Sequence, residues 1–419
     1  YKFAIRNGKN GFLAESSGDW YRYLKVLVED EHLRKEIGRQ AYRHALATYT
    51  PQAQARGTEK VFETIINDWR RRNGVLPEAL SISWVIPVPF LGSGGHRNIF
   101  RAVKYLTQFG HSCRIYVTPN EDFKTSVEVK KFIDDNFMKL KTDVILGVEN
   151  ITSSDALVAT HWSTAYVVDK NRSKAARCFY FIQDYEPYFY PMGYEYLAAE
   201  NTYRLGFTPI TSGPWPARIL WKKHRLKAGY FRFPVRTHIY YPRKARRKKQ
   251  LIFFARPETH VSRRCFPLGI EALRIFKARN PKFEVVLFGS NKIDPVRIGF
   301  SHKNLGVLTD QGLAKLYSSS IAGISFSTTN PSLVPFEMMA CKCPVVDLDY
   351  GDNVVNYGSK RNVTLAEPTP EGVAEAIEKL VESEKLRKKK AENAYKFVKS
   401  FPNEEETVRR IEELILREF

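Results

Sequence analysis

Short apolar runs alternate with helix-periodic segments along most of the chain, and this alternation constrains the fold more than any other feature. Trp84–Val88, Cys113–Val117, Asp143–Leu146, Ala156–Thr160 and Cys178–Ile182 have strand length. Between the first two, Ile99, Val103 and Leu106 recur at helical spacing before Gly110 closes the helix. The pattern resumes after the basic stretch 243–250. Leu251–Phe254, Phe283–Phe288, Ala322–Ser325 and Pro344–Val346 read as strands, with helices predicted over Pro267–Ala278, Gln311–Ser318 and Pro335–Met339. Strands joined through helices pair in parallel, because the crossover carries the chain back to the end of the sheet where the previous strand began. The reading is therefore α/β: two facing Rossmann-like domains, 83–242 and 251–419, with a cleft between them and ligands at the strands' carboxyl ends.

Residues 1–72 do not fit this scheme. LAESSGDWYRYLKVLVEDEHLRKEIGRQAYRHALATYTPQ, from Leu13, runs parallel to LAEPTPEGVAEAIEKLVESEKLRKKKAENAYKFVKSFPNE, from Leu365. Each copy has LAE, an amphipathic helix, LRK, a second helix with an Ala-Tyr pair, a Pro-containing break and a last helix. This is an internal repeat of a domain's end. Residues 1–72 are expected to be the α-rich tail of an upstream related domain, and 73–82 a linker, in a longer tandem chain. The helices of the second copy are expected to complete the domain 251–419.

At 419 residues with 43% apolar content, the chain can bury more than one core. No run of 18 apolar residues is present to cross a membrane. The five cysteines are scattered, and Cys341 and Cys343 are too close for a usual zinc pair, so reduced thiols and a cytoplasmic location are expected. The net charge of +21 asks for an acidic partner: nucleic acid, an anionic membrane surface or a phosphorylated small molecule. No zinc-finger, RNP or KH pattern supports nucleic acid.

Within this frame, several residues bear chemistry. In SFSTTNPSLVPFEMMACKCPVV, from Ser325, Glu337 is the one acid of a short helix and is crowded by Val334, Phe336, Met338 and Met339. Such a carboxylate serves the helix dipole or accepts a ligand hydroxyl. Gly94 and Gly95 open a helix after a strand, where backbone amides can approach a phosphate or simply make a tight turn. They are not the dinucleotide fingerprint, since Arg97 stands where its third glycine belongs. Arg256 and Arg264, in RPETHVSRR, follow a strand end and suit a diphosphate. Asp184 and Glu186 lie among the aromatics of FIQDYEPYFY, a mixture suited to sugars. His161 follows another strand end as a secondary candidate.

WVIPVPFLGSGG, LTQFGHSCRIYVT, FFARPE, RRCFPLGIEAL and PSLVPFEMMACKCPVV together resemble the nucleotide-sugar glycosyltransferases of the GT-B fold, family four. YFIQDYEPYFYPMGYEYLAAENTYRLGF with NPSLVPFEMMA is similar to the rhamnosyltransferases of bacterial rhamnan and S-layer glycan synthesis. The resemblance implies a retaining, metal-independent transfer, with no cofactor beyond a nucleotide-sugar donor. The donor implied is dTDP-L-rhamnose, and the acceptor a growing glycan or lipid-linked oligosaccharide. Arg256 and Arg264 would hold the diphosphate, and Glu337 the nucleotide's ribose. Gly94, Gly95, Ser332 and Leu333 would lie against the donor, with Asp184, Glu186 and His161 at the reacting end. An enzyme held peripherally at the inner face of the plasma membrane follows, beside an upstream glycosyltransferase domain. Two positions depart from the family pattern: Thr329 stands where the first acid of a paired-glutamate motif belongs, and Gln183 where a histidine is common. A non-catalytic carbohydrate- or membrane-binding module is the alternative that these departures raise.

Overall fold

The computed structural model describes residues 4–50 and 79–419. The break and last helix of the first repeat copy, the Arg70–Arg72 cluster and most of the 73–82 linker lie outside the described residues. The chain divides into two compact units, 1–76 with 417–419, and 77–416. In the first, α1 (Ser17–Glu29) is followed by α2 (Glu31–Thr48). Ser16 caps α1 in a capping box with Asp19, and Asp30 accepts the Leu33 N–H at the start of α2.

The second unit holds two parallel sheets, as the alternation requires. The first consists of β1 (Ser81–Ile86), β2 (Ser112–Val117), β3 (Asp143–Leu146), β4 (Ser154–Ala159), β5 (Ala175–Ile182), β6 (Thr208–Ser212) and β7 (Gly229–Phe231). Its order is β3-β2-β1-β4-β5-β6-β7. The second consists of β8 (Gln250–Phe254), β9 (Glu284–Phe288), β10 (Lys303–Asn304), β11 (Ala322–Ile324), β12 (Val345–Leu348) and β13 (Thr364–Ala366), in the order β10-β9-β8-β11-β12-β13. Helices cover both faces, so the central strands are mostly apolar; Trp84, Val85 and Ile86 of β1 are fully buried.

Six helices position the site: α3 (Gly94–Gln108), α5 (Trp162–Lys170) and α7 (Pro214–His224) in the first domain, with α8 (Phe266–Arg279), α9 (Asp310–Ser319) and α10 (Val334–Ala340) in the second. Between α3 and α5 lies α4 (Ser126–Asn136), and between α5 and α7 lies α6 (Tyr194–Asn201). Helix α10 packs hard on β11: a Cβ at Gly323 would stand 2.4 Å from the Met338 sulfur. That contact is what seats Glu337 in the core.

The chain ends with α11 (Pro370–Glu382), α12 (Glu384–Lys399) and α13 (Glu404–Leu416). The first two complete the second domain as expected, but α13 does not. It packs on α3 and β7 of the first domain. Arg101 bonds Glu404 at 2.9 Å, the His111 ring meets Glu412 at 3.0 Å, and Gly229 leaves room for the Leu414 side chain. The break at Pro402 turns the chain, and the face bearing Val408, Ile411 and Leu414 is buried only by this crossing.

Candidate functional site

Strand order reverses direction between β1 and β4 in one sheet and between β8 and β11 in the other. At such switch points the loops after the strands part and leave a crevice. After β1 and β4 come Gly94, Gly95, His96 and His161; after β8 and β11 come Arg256–Arg264 and the loop Ser325–Leu333. The sequence-predicted residues therefore gather at the carboxyl ends of the two sheets.

Asp184 is buried where these ends meet. Its carboxylate accepts the Thr329 hydroxyl at 2.8 Å and the Asn330 N–H at 3.0 Å, both from the second domain, and lies 3.7 Å from Arg263. The Asn330 side-chain amide donates in return to the carbonyls of Gln183 and Ser212, each at 2.9 Å. Nearby, the Trp215 indole N–H donates to the Gly351 carbonyl at 2.6 Å, and Arg218 and Lys222 pair with Asp352. Burial raises the Asp184 pKa, opposed chiefly by the Arg263 charge. Beside this seam, lined by Ser212, Gly213, Asn330 and Asn356, the remaining space is about 20 Å³, room for a water and no more.

The loop 325–333 is held by the protein's own buried side chains. Asp347, buried at the end of β12, accepts the Ser327 N–H at 3.0 Å and the Tyr357 hydroxyl at 2.6 Å. From the other side, Arg264 donates to the Ser327 hydroxyl at 2.7 Å and the Asn330 carbonyl at 3.3 Å. Burial and the charge of Arg263 bring the Arg264 pKa down to about 10. Arg256 is more open; its Nε donates to Glu258 at 3.1 Å. The Ser332 hydroxyl oxygen is buried with no hydrogen-bond partner among the described residues, and Leu333 stands at the N-terminal end of α10.

Glu186 lies deeper than an acceptor contact requires. Its carboxylate takes the Trp162 N–H at 2.5 Å and the Tyr180 hydroxyl at 3.1 Å, so it holds the start of α5, and burial pushes its pKa up to about 8. His161, the N-cap of α5, has Nδ1 2.9 Å from the Ser163 hydroxyl. Burial, with the nearby His96, brings its pKa down to about 4, so the ring is neutral at neutral pH. His96 was not singled out by sequence. It is buried, with Nε2 3.0 Å from the Pro87 carbonyl, which places that ring at the mouth of β1.

Gln183 joins this side to α3. Its amide donates to the Gly95 carbonyl at 3.1 Å and accepts from Asn98 at 3.0 Å; Asn98 in turn accepts from Arg101 at 2.8 Å. Gly94 has open space where a side chain would stand, while a Cβ at Gly95 would come 3.3 Å from the Gln183 amide. In the second domain, Glu337 faces a cluster that sequence reading missed. Arg236 is bidentate to Asp310 at 2.7 and 2.8 Å, and the Tyr240 hydroxyl donates to Asp310 at 2.9 Å. Burial pushes the Glu337 pKa up to about 7 against the pull of Arg236. No local pattern marks Arg236 in FRFPVRTH; only the fold brings it to Glu337.

The basic stretch 243–250 is partly structural. Arg247 donates to the carbonyls of Ser320 and Lys342, and Arg243 to the Ile239 carbonyl and Gln311, which ties the linker to the second domain.

Comparison with known proteins agrees with this architecture. Residues 114–211 match the family model of the WsaF N-terminal domain, and residues 249–378 that of the WsaF C-terminal domain. The O-antigen biosynthesis protein RfbC of Myxococcus xanthus is 34% identical over 250 residues, which is 58% of this chain and 19% of the relative. The chain thus spans about a fifth of that relative's length. Among solved structures, S. aureus TarM, in complex with fondaparinux, alpha-GlcNAc-glycerol and UDP, superposes with a TM-score of 0.63 at 10% identity. The match covers 80% of this chain and 99% of that one. Anabaena HepE in complex with UDP and glucose gives 0.61 at 15% identity, covering 80% and 98%. Sucrose-phosphate synthase of Thermosynechococcus elongatus gives 0.58 at 14%, with the same coverage. The fold of the second unit is the GT-B glycosyltransferase fold.

Proposed function

We propose that this chain is a glycosyltransferase of bacterial surface-polysaccharide synthesis, moving L-rhamnose from dTDP-L-rhamnose to a growing or lipid-linked glycan with retention and without a metal ion. The matches to both WsaF domains and to RfbC support the coarse reading. One observation carries the site. Arg256, Arg263 and Arg264 converge at the end of β8, and the charge of Arg264 is disfavoured by burial and by Arg263. A bound anion offsets the repulsion between these charges, so the donor diphosphate is assigned there, with the arginines taking up its charge as the sugar leaves. Glu337 accepts the ribose hydroxyls, and Gly94 gives the donor close access to the start of α3. His161 and His96 line the reacting side as neutral rings, while Asp184 and Glu186 hold that side in shape.

Thr329 and Gln183 support this reading over a non-catalytic module. Both have structural duties, Thr329 on Asp184 and Gln183 on Gly95 and Asn98, so their presence needs no loss of activity to explain it. The exposed lysines of the basic stretches support a reading in which the enzyme works beside anionic lipid.

The test is calorimetric titration with dTDP-, UDP- and GDP-sugars, followed by transfer to rhamnan fragments. Binding of dTDP-rhamnose alone, lost in Arg256→Ala, is expected. Binding confined to UDP-hexoses would overturn the rhamnosyl assignment, and no binding of any nucleotide-sugar would overturn the enzyme.

A further inference from the structure

The two copies of the internal repeat are built alike, residue by residue. Ser16 and Thr369 cap the first helix of each copy, and Asp30 and Ser383 the second. Arg34 donates to the carbonyls of Leu27 and Val28; Arg387 donates to those of Leu380 and Val381, the corresponding residues. Chance similarity between amphipathic helices does not reproduce caps and side-chain bonds at matching positions.

One difference separates the copies. In the second, Val373, Ile377 and Val381 of α11 are buried in the core of the second domain, where α11 packs on α8 and on the strands β11–β13. Their counterparts in α1 are Trp20, Leu24 and Val28, which are 61%, 53% and 75% exposed. The LAE segment of the second copy contains the end of β13, paired in parallel with β12. The LAE segment of the first belongs to no sheet among the described residues.

We infer that the exposed face of α1 is a docking surface for a parallel α/β sheet of the same type as β8–β13, carried by polypeptide ahead of Ala4. Phe12–Ala14 add to that sheet as its edge strand, as Thr364–Ala366 do to β12. The occupant follows from the repeat: the same face, with the same caps, is covered by such a sheet in the second copy. The inference does not depend on the donor or the reaction proposed above.

Hydrogen exchange on the natural polypeptide and on the 419-residue segment tests it. In the natural polypeptide the amides of 17–29 should exchange at least roughly tenfold more slowly than in the segment, and Leu24→Asp should abolish the difference. In the segment alone, Leu24→Asp should leave exchange unchanged, while Ile377→Asp should unfold the second domain. A natural polypeptide with no α/β domain ahead of Ala4 would overturn the inference. So would equal exchange of 17–29 in both forms. Protection in the segment that grows with its concentration would assign the face to a second copy, and protection only with anionic vesicles would assign it to lipid; either result also overturns the sheet.

Discussion

The Thr329 hydroxyl lies 2.8 Å from the Asp184 carboxylate, and the two residues lie in loops that follow strands of different sheets. An acid at 329 would set two carboxylates against each other in a buried site. The threonine donates where an acid could only repel. The departure from the family pattern is thus half of a pair, and its partner is the acid that follows Gln183.

Thr329→Ser should therefore be tolerated, and Thr329→Glu should not. We expect the glutamate variant to separate the domains, seen as a larger radius in small-angle scattering at neutral pH. Lowering the pH should close it again as a carboxyl takes up a proton. A compact Thr329→Glu variant at neutral pH would contradict the latch.

Asn330→Ala removes the donors to the Gln183 and Ser212 carbonyls, leaving two buried acceptors without partners. A loss of about 1–3 kcal/mol is expected in denaturant unfolding. Exchange should quicken in the loop 325–333 and after β5, with the outer strands of each sheet unaffected.

Arg256 and Arg264 should part company on mutation. Arg264→Ala strips partners from Ser327 and Asn330 and should cost roughly 2–3 kcal/mol of stability. Arg256→Ala gives up a partly exposed bond to Glu258 and a loose contact over the Phe254 ring, and should leave the unfolding midpoint within error. Its donor affinity should nevertheless fall at least about tenfold, since a charge-assisted bond to phosphate is lost. Equal donor affinity in wild type and Arg256→Ala would remove that residue from the site.

Glu186 gives a pH signature. Its carboxyl rises from an ordinary 4.5 to about 8 on burial, so the folded protein holds a proton there that the unfolded chain has released. Stability from this group is full below about pH 4.5 and is lost as pH rises through 8. Relative to Glu186→Gln, the wild type should thus lose stability between pH 5 and 8. A constant difference across that window would mean that Glu186 stays ionised.

Glu337, with its pKa near 7, should show the opposite trend in binding. Its ionised form accepts ribose hydroxyls better, so donor affinity should rise with pH through 7 in the wild type and stay flat in Glu337→Gln. Calorimetry at several pH values reads this directly.

The sheets were legible in the sequence because strand length, helical period and crossover are local properties. Trp84–Val88 and Phe283–Phe288 announce themselves without reference to any neighbour. So does the burial of Glu337, whose apolar neighbours leave its helix no solvent face. Strands β6 and β7 escaped, since TPITS and GYF carry too few apolar residues to form a run. The site divides in the same way. Sequence placed Arg256, Arg264, Asp184 and His161 after strand ends and Glu337 on a short helix, and the fold keeps them there. Only the tertiary structure decided their partners: Thr329 for Asp184, Arg236 beside Glu337, the start of α5 for Glu186, and α3 for the final helix. Those pairings join residues up to hundreds of positions apart. A hydrogen bond across a domain seam has no period and no propensity, so nothing in the local sequence encodes it.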